Sequence, residues 1–235
     1  MKTVLLVGLR LENPGWEEPD TGGFRRLNWE ANRARWEKLL PEIPIFEGHH
    51  EEEGPFSLAK ASNRAAALAG DWEMAVYTGA DFMVGDAKQV HTAIAKSEKS
   101  GMLTLAFDHT VMLYEWPSQY IRDGGDPLPT MGDVYPNAFT GVMAVPRSLW
   151  DRVGGFEQRL LGWGWDDQAF WASCWAIGGG FDRVKGYIHH LWHPRSRSDN
   201  EESPYYRENE ILGRRYLDAK TNRLEMMKII AERTQ

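Results

Sequence analysis

The first 107 residues alternate short apolar runs with longer stretches of helical character, an order that suits a layered α/β sheet. Residues 3–9 (TVLLVGL) are apolar without a break, as expected of a strand covered on both faces. Residues 24–40 read as a helix with Phe24, Leu27, Ala31, Ala34, Leu39 and Leu40 on its apolar side, stopped by Pro41. Residues 43–46 are a second short strand. Residues 57–69 (SLAKASNRAAALA) are alanine-rich, open on Ser57 as an N-cap and end at Gly70. Residues 73–78 give a third strand, 86–99 a further helix and 102–107 a fourth strand. The short links predict a largely parallel sheet, and ligands of such sheets bind at the carboxyl ends of strands. Arg10, Glu47 and Asp81 each follow a predicted strand, so they are expected near one edge.

The second half is built differently. Residues 115–137 are rich in Pro, Gly and Asp and read as a long loop. A strand over 138–145 and a short helix over 146–153 follow. Residues 156–165 (FEQRLLGWGW) are a loop, and 166–177 a helix that opens on two carboxylates. Residues 181–190 read as one strand. A charged helical segment, about 205–232, comes last. The organisation expected is one large domain over residues 1–204 with a helical extension over 205–235, which caps the site or forms a homodimer contact.

Composition narrows the function classes. The net charge of −7 argues against an extended nucleic-acid surface or a basic membrane-binding face. A single cysteine, Cys174, excludes an internal disulfide framework and a multi-cysteine zinc site. No run approaches the ~18 apolar residues of a membrane span, and residues 1–9 read as a strand rather than a signal. The expectation is a cytoplasmic, reduced setting. Eleven tryptophans in 235 residues are unusually many.

Four features can carry chemistry. Asp81 leaves the third strand in YTGAD, where a carboxylate suits a hard cation, although a turn or capping role is as common. Asp166 and Asp167 follow GWGW. Acids there suit a helix dipole, yet a flat tryptophan beside a carboxylate also suits sugar recognition, and such a carboxylate can act as general base. His189, His190 and His193 have a spacing compatible with a metal, or with plain surface histidines at a strand end. Arg195 and Arg197, with Lys60 and Arg64 on the alanine-rich helix, can converge on a diphosphate. P-loop, dinucleotide-binding and nucleophile-elbow motifs do not occur in this sequence.

The order of these features resembles that of GT-A-fold glycosyltransferases. FSLAKASNRAAALAGDWEMAVYTGAD is similar to the stretch leading into their D-x-D metal motif. VGGFEQRLLGWGWDDQAFWASCWAIGGGFDRV resembles the GGF…GWGxED segment of family 2, chondroitin-polymerase-like, β-1,4-galactosyltransferase-like and polypeptide GalNAc-transferase-like enzymes. The likeness spans about residues 3–200, and its most specific part is GGF…GWGWDD. It implies a three-layer α/β/α fold with a mostly parallel sheet, and transfer of a sugar from a nucleotide-diphosphate sugar, UDP favoured, to an acceptor hydroxyl.

By that resemblance Asp81 takes the last position of D-x-D and would hold Mn²⁺ or Mg²⁺, with either His193 or His190 as the later ligand. Trp163 matches the tryptophan lining the sugar sites. Asp166 and Asp167 match the E-D pair, which makes Asp167 the base of an inverting reaction. Lys60, Arg64, Arg195 and Arg197 match basic positions near the nucleotide. Arg10 lies beside them at the strand edge, and Glu47 sits where relatives place an acid that reads base or ribose. Two departures stand out. Gly79 replaces the first acid of D-x-D, and Trp165 stands where most relatives have Gly, which should narrow the acceptor site. The acceptor stays open between a glycan, a protein side chain, a lipid-linked sugar and a modified nucleobase. Two other readings stand beside transfer: a non-catalytic carbohydrate-binding protein on a degenerate scaffold, and a metal-dependent hydrolase.

Overall fold

The computed structural model describes residues 1–9, 23–50, 52, 54–162, 164–194 and 205–234. Its first half follows the alternation of the sequence: β1 (Thr3–Leu9), α1 (Phe24–Leu39), β2 (Ile45–His49), α2 (Leu58–Leu68) and β3 (Met74–Thr78). Then come β4 (Phe82–Val84), α3 (Ala87–Ser100), β5 (Leu103–Leu105), β6 (His109–Leu113), α4 (Glu115–Arg122) and β7 (Gly132–Pro136). The remainder is β8 (Met143–Pro146), α5 (Arg147–Val153), α6 (Asp166–Gly178), β9 (Phe181–Arg183), β10 (Tyr187–His190), α7 (Tyr206–Ala219) and α8 (Arg223–Ala231).

The central sheet has six strands in the order β2-β1-β3-β8-β5-β9. Only β8 runs against its neighbours. Every residue of β3, β5 and β8 is buried, as apolar strands covered on both faces must be. The fold class is thus a mixed α/β protein with a largely parallel central sheet.

Two glycines set how closely α2 rides on this sheet. Gly8 and Gly48 face each other across the β1–β2 ladder. A Cβ on Gly48 would stand 1.9 Å from the Ala61 carbonyl oxygen, and one on Gly8 2.6 Å from Ser62 Oγ. Helix backbone therefore lies directly on strand backbone, near the carboxyl ends of β1 and β2.

Several elements differ from expectation. β2 extends through His49, so Glu47 lies inside the strand rather than after it. The buried side of α1 is Asn28, Trp29, Asn32 and Trp36, whereas Leu27 is 43% exposed. The region read as a loop, 115–137, holds α4 and β7, and β7 closes a second sheet, β4-β10-β6-β7. Its edge strand β7 is exposed almost throughout, so it carries no apolar pattern. The segment 181–190 is two strands, β9 in the central sheet and β10 in the second, with the Val184–Gly186 link between them. Helices α7 and α8 place Tyr216, Ala219, Met226 and Ile229 in the main core. No helix among the described residues is long and apolar enough to cross a membrane.

Candidate active site

The chain leaves β3 at Thr78 and turns through Gly79 and Ala80 to Asp81. Helix α1 holds this turn from its buried polar face. Asn32 donates to the carbonyls of Ala80 (3.1 Å) and Phe82 (2.6 Å), and Asn28 donates to Asp81 Oδ1 at 2.8 Å. Asn28 also donates to the Trp192 carbonyl at 3.3 Å and accepts from Arg122 Nη1 at 2.9 Å. One fully buried amide therefore ties the β3 turn, the segment after β10 and α4 together. Asn28 and Asn32 are polar, so an apolar helical pattern does not single them out. Their spacing of four, in line with Trp29 and Trp36 at a spacing of seven, was the available signal.

β10 pairs with β4, which brings His190 opposite Phe82. Asp81, His190 and His193 come together: one ligand atom from each lies within 4.8 Å of the others. His193 Nδ1 is 3.0 Å from the Pro194 carbonyl oxygen. A carbonyl only accepts, so Nδ1 carries the hydrogen. Nε2 lies 3.7 Å from Asp81 Oδ2 and faces the cluster. Burial, with His193 and Arg25 adding positive charge nearby, pushes the His190 imidazole down to about 4, against the pull of Asp81. It is neutral at pH 7, as a ligand must be. One carboxylate with two imidazoles suits Mn²⁺ better than Mg²⁺, which prefers oxygen. The donor set therefore fits a divalent transition ion.

Gly79 has a structural reason. A Cβ there would stand 2.8 Å from Phe82 Cδ2. The Phe82 ring fills the space of the missing acid and packs edge-on against His190, centroids 4.8 Å apart.

The second half of the site is the first turn of α6. Trp165 precedes it at φ 76°, a left-handed backbone that bulky residues rarely adopt. Its ring is packed against Gly213 of α7, where a Cβ would approach it to 2.5 Å, and lies under the Arg214 guanidinium. Asp166 and Asp167 follow. Phe170, one turn on, stacks on Phe156 at 4.1 Å, and Phe156 meets Tyr77 at 4.8 Å. The buried Tyr77 hydroxyl is held well above its ordinary range by burial, then by the charges of Asp167 and Asp166. Tyr77 is the penultimate residue of β3, so the acid pair and the Asp81 cluster are both tied to one end of one strand.

The helix dipole favours ionised acids at this position, but burial outweighs it. Asp166 is 6% exposed, one of its oxygens has no hydrogen-bond partner among the described residues, and burial with neighbouring Asp167 raises it well above the carboxylate range. Asp167 is more open and burial lifts it to about 6. A carboxylate of that pKa is mostly ionised at pH 7 and still basic enough to take a proton.

The other predicted residues divide four ways. Lys60 and Arg64 stand on α2, with Lys60 paired to Glu52. Glu47 accepts from Trp29 Nε1 at 3.1 Å and pairs with Arg33. Arg10, Trp163, Arg195 and Arg197 lie outside the described residues. His189 points away from this cluster's register on β10 and joins Lys88, Gln89 and Lys185 in lining a separate depression.

Residues 130–196 match a family model described as the N-terminal domain of galactosyltransferase. No curated protein matches the chain. Among solved structures, Staphylococcus aureus TarS (1–349), in complex with UDP-GlcNAc, aligns over 100% of this chain and 72% of that one, at 14% identity and a TM-score of 0.56. The catalytic domain of Drosophila β1,4-galactosyltransferase 7, in complex with xylobiose, aligns over 88% and 78%, at 15% identity and a TM-score of 0.54. A mutant of the fly enzyme, in complex with manganese, UDP-Gal and xylobiose, aligns over 82% and 71%, at 14% identity and a TM-score of 0.49. The chain has the GT-A glycosyltransferase fold.

Proposed function

We propose that this chain, built on the GT-A fold, transfers a sugar from a nucleotide-diphosphate donor, a UDP-sugar by preference, to an acceptor hydroxyl with inversion. The reading rests on a metal-ligating trio just past the carboxyl end of β3 and on a partly buried carboxylate of pKa about 6 whose charge acts on Tyr77 of the same strand. Asp81, His190 and His193 would hold the divalent ion. When bound, that ion supplies positive charge to the diphosphate of the donor.

Asp167 accepts the proton of the acceptor hydroxyl as its oxygen bonds to the sugar's anomeric carbon. The bond from that carbon to the diphosphate breaks, and the nucleoside diphosphate leaves with the electron pair. Burial, and then the adjacent Asp167, raise the proton affinity of Asp166, which disfavours a second negative charge beside the base. Lys60 and Arg64, on a helix pressed against the β1–β2 end, offer charge to the nucleotide. Arg195 and Arg197, two and four residues past His193, are assigned the diphosphate. Arg10 and Glu47 are assigned the nucleoside side, and Trp163 the sugar.

A thermal-shift screen of UDP- and GDP-sugars tests this. One UDP-sugar with Mn²⁺ is expected to raise Tm, EDTA to remove the shift, and Asp81→Ala to lose it. No shift with any donor at millimolar Mn²⁺ or Mg²⁺ would overturn the proposal. Gly79 in place of the first D-x-D acid, with the Phe82 ring against it, favours one other reading, a carbohydrate-binding protein without transfer. Saccharide binding indifferent to EDTA, with no nucleotide affinity, identifies that case.

A further inference from the structure

Half of the exposed large apolar side chains among the described residues, seven of fourteen, fall between residues 112 and 135. They belong to β6, α4 and β7 and the links between them. Trp116 is the extreme case, at 74% exposed, and Tyr120 one turn later is 43% exposed. Their rings are nearly parallel, 10° apart with centroids at 6.2 Å, forming an exposed aromatic pair on one side of the helix. Neither ring is needed for the core of α4, whose inward side is Pro117, Ser118 and Ile121.

This helix borders the site. Ser118 Oγ accepts from the backbone N–H of Trp192 at 2.8 Å, next to His193. Arg122, at the end of α4, donates to Asn28, which in turn holds Asp81. The outer face of α4 is thus a continuation of the wall that builds the metal trio.

The charges around the pair select its partner. Glu115 and Asp123 stand at the two ends of the same helix, and Tyr114, just before it, donates its hydroxyl to Asp133 at 2.7 Å. The nearby cation, Arg122, is turned onto Asn28 and Gln119. Such a surface repels nucleic acid and anionic lipid. Flat aromatic faces rimmed by carboxylates and the Gln119 amide match a neutral sugar, whose C–H faces pack on the rings while its hydroxyls donate to the acids.

We propose that Trp116 and Tyr120 form a binding platform for a neutral saccharide chain, which is the acceptor class of this protein. The acceptor role rests on the transfer reading above; the binding itself does not.

The test is calorimetry of the full chain against chitohexaose, cellohexaose, xylohexaose and mannohexaose. The panel is run with the wild type and with Trp116→Ala, Tyr120→Ala and Trp116→Phe. At least one hexaose is expected to bind. Each alanine variant should weaken it about tenfold or more, while Trp116→Phe keeps most of the affinity and all variants keep the wild-type melting temperature. The proposal is overturned if none of the four binds, or if the bound hexaose is held equally by Trp116→Ala. It is also overturned if that variant instead loses binding to an oligonucleotide or an anionic vesicle. Trp116-dependent hexaose binding without any nucleotide-sugar shift upholds the platform and overturns the transferase reading. The reverse pattern overturns the platform alone.

Discussion

Replacing Asp167 by Asn should make the protein inactive and more stable at once. Its carboxyl titrates near 6 in the fold because burial disfavours the charge, against an ordinary value of 3.8. A folded-state pKa raised in this way means the native state binds the proton more tightly than the unfolded chain. Stability therefore falls as pH rises from about 4 to about 6, and the cost persists above that. At about 1.4 kcal/mol per pH unit, the ionised group costs about 3 kcal/mol at pH 7. An amide of the same shape does not carry that charge, so Asp167→Asn is expected to raise Tm by several degrees at pH 7 and to change it little at pH 4. Removing a general base should lower turnover by about 10²–10⁴. In the wild type, kcat/KM should fall about tenfold per unit below pH 6. His190, already neutral above about 4, does not produce that limb. Thermal melts from pH 4 to 8 and a pH–rate profile of sugar transfer check both halves. An Asn variant that is inactive because it is destabilised would refute the reasoning, as would an acid limb near 6 that survives in its residual activity.

Glu157→Gln is expected to act in the opposite sense. Glu157 is 1% exposed, and despite burial, bonds from Arg159 and Tyr216 and the charge of Arg233 hold it down to about 2. Its contribution, about 3 kcal/mol, is full above pH 4.5 and lost as pH falls toward 2. Urea melts at pH 7 and pH 3 should therefore differ strongly in the wild type and little in the variant. Asn28→Ala frees one oxygen of Asp81 and should weaken Mn²⁺ binding about 10–100-fold in calorimetry, with the fold retained by circular dichroism. Gly79→Asp, which restores the family's acid, should lower Tm because its Cβ meets Phe82, and adding Phe82→Ala should recover it.

The sequence alone carried the layered order, since continuous apolar runs and helical segments state their own periodicity. It also put forward the candidate side chains that sit on recognisable spacings: Asp81 after its strand, His190 and His193 at the end of theirs and just beyond, and the acids behind GWGW. The second sheet escaped it because β7 is a solvent-facing edge, and burial is what writes a pattern into a strand. The face of α1 escaped it because Asn28 and Asn32 are buried for their hydrogen bonds rather than for hydrophobicity. What tertiary structure alone decided is which distant residues meet: Asp81 and His193 are 112 positions apart, and only the β4–β10 pairing brings them to 3.7 Å. It also decided that both acids are carried inside the fold, where burial raises the proton affinity of each, and composition holds no record of that.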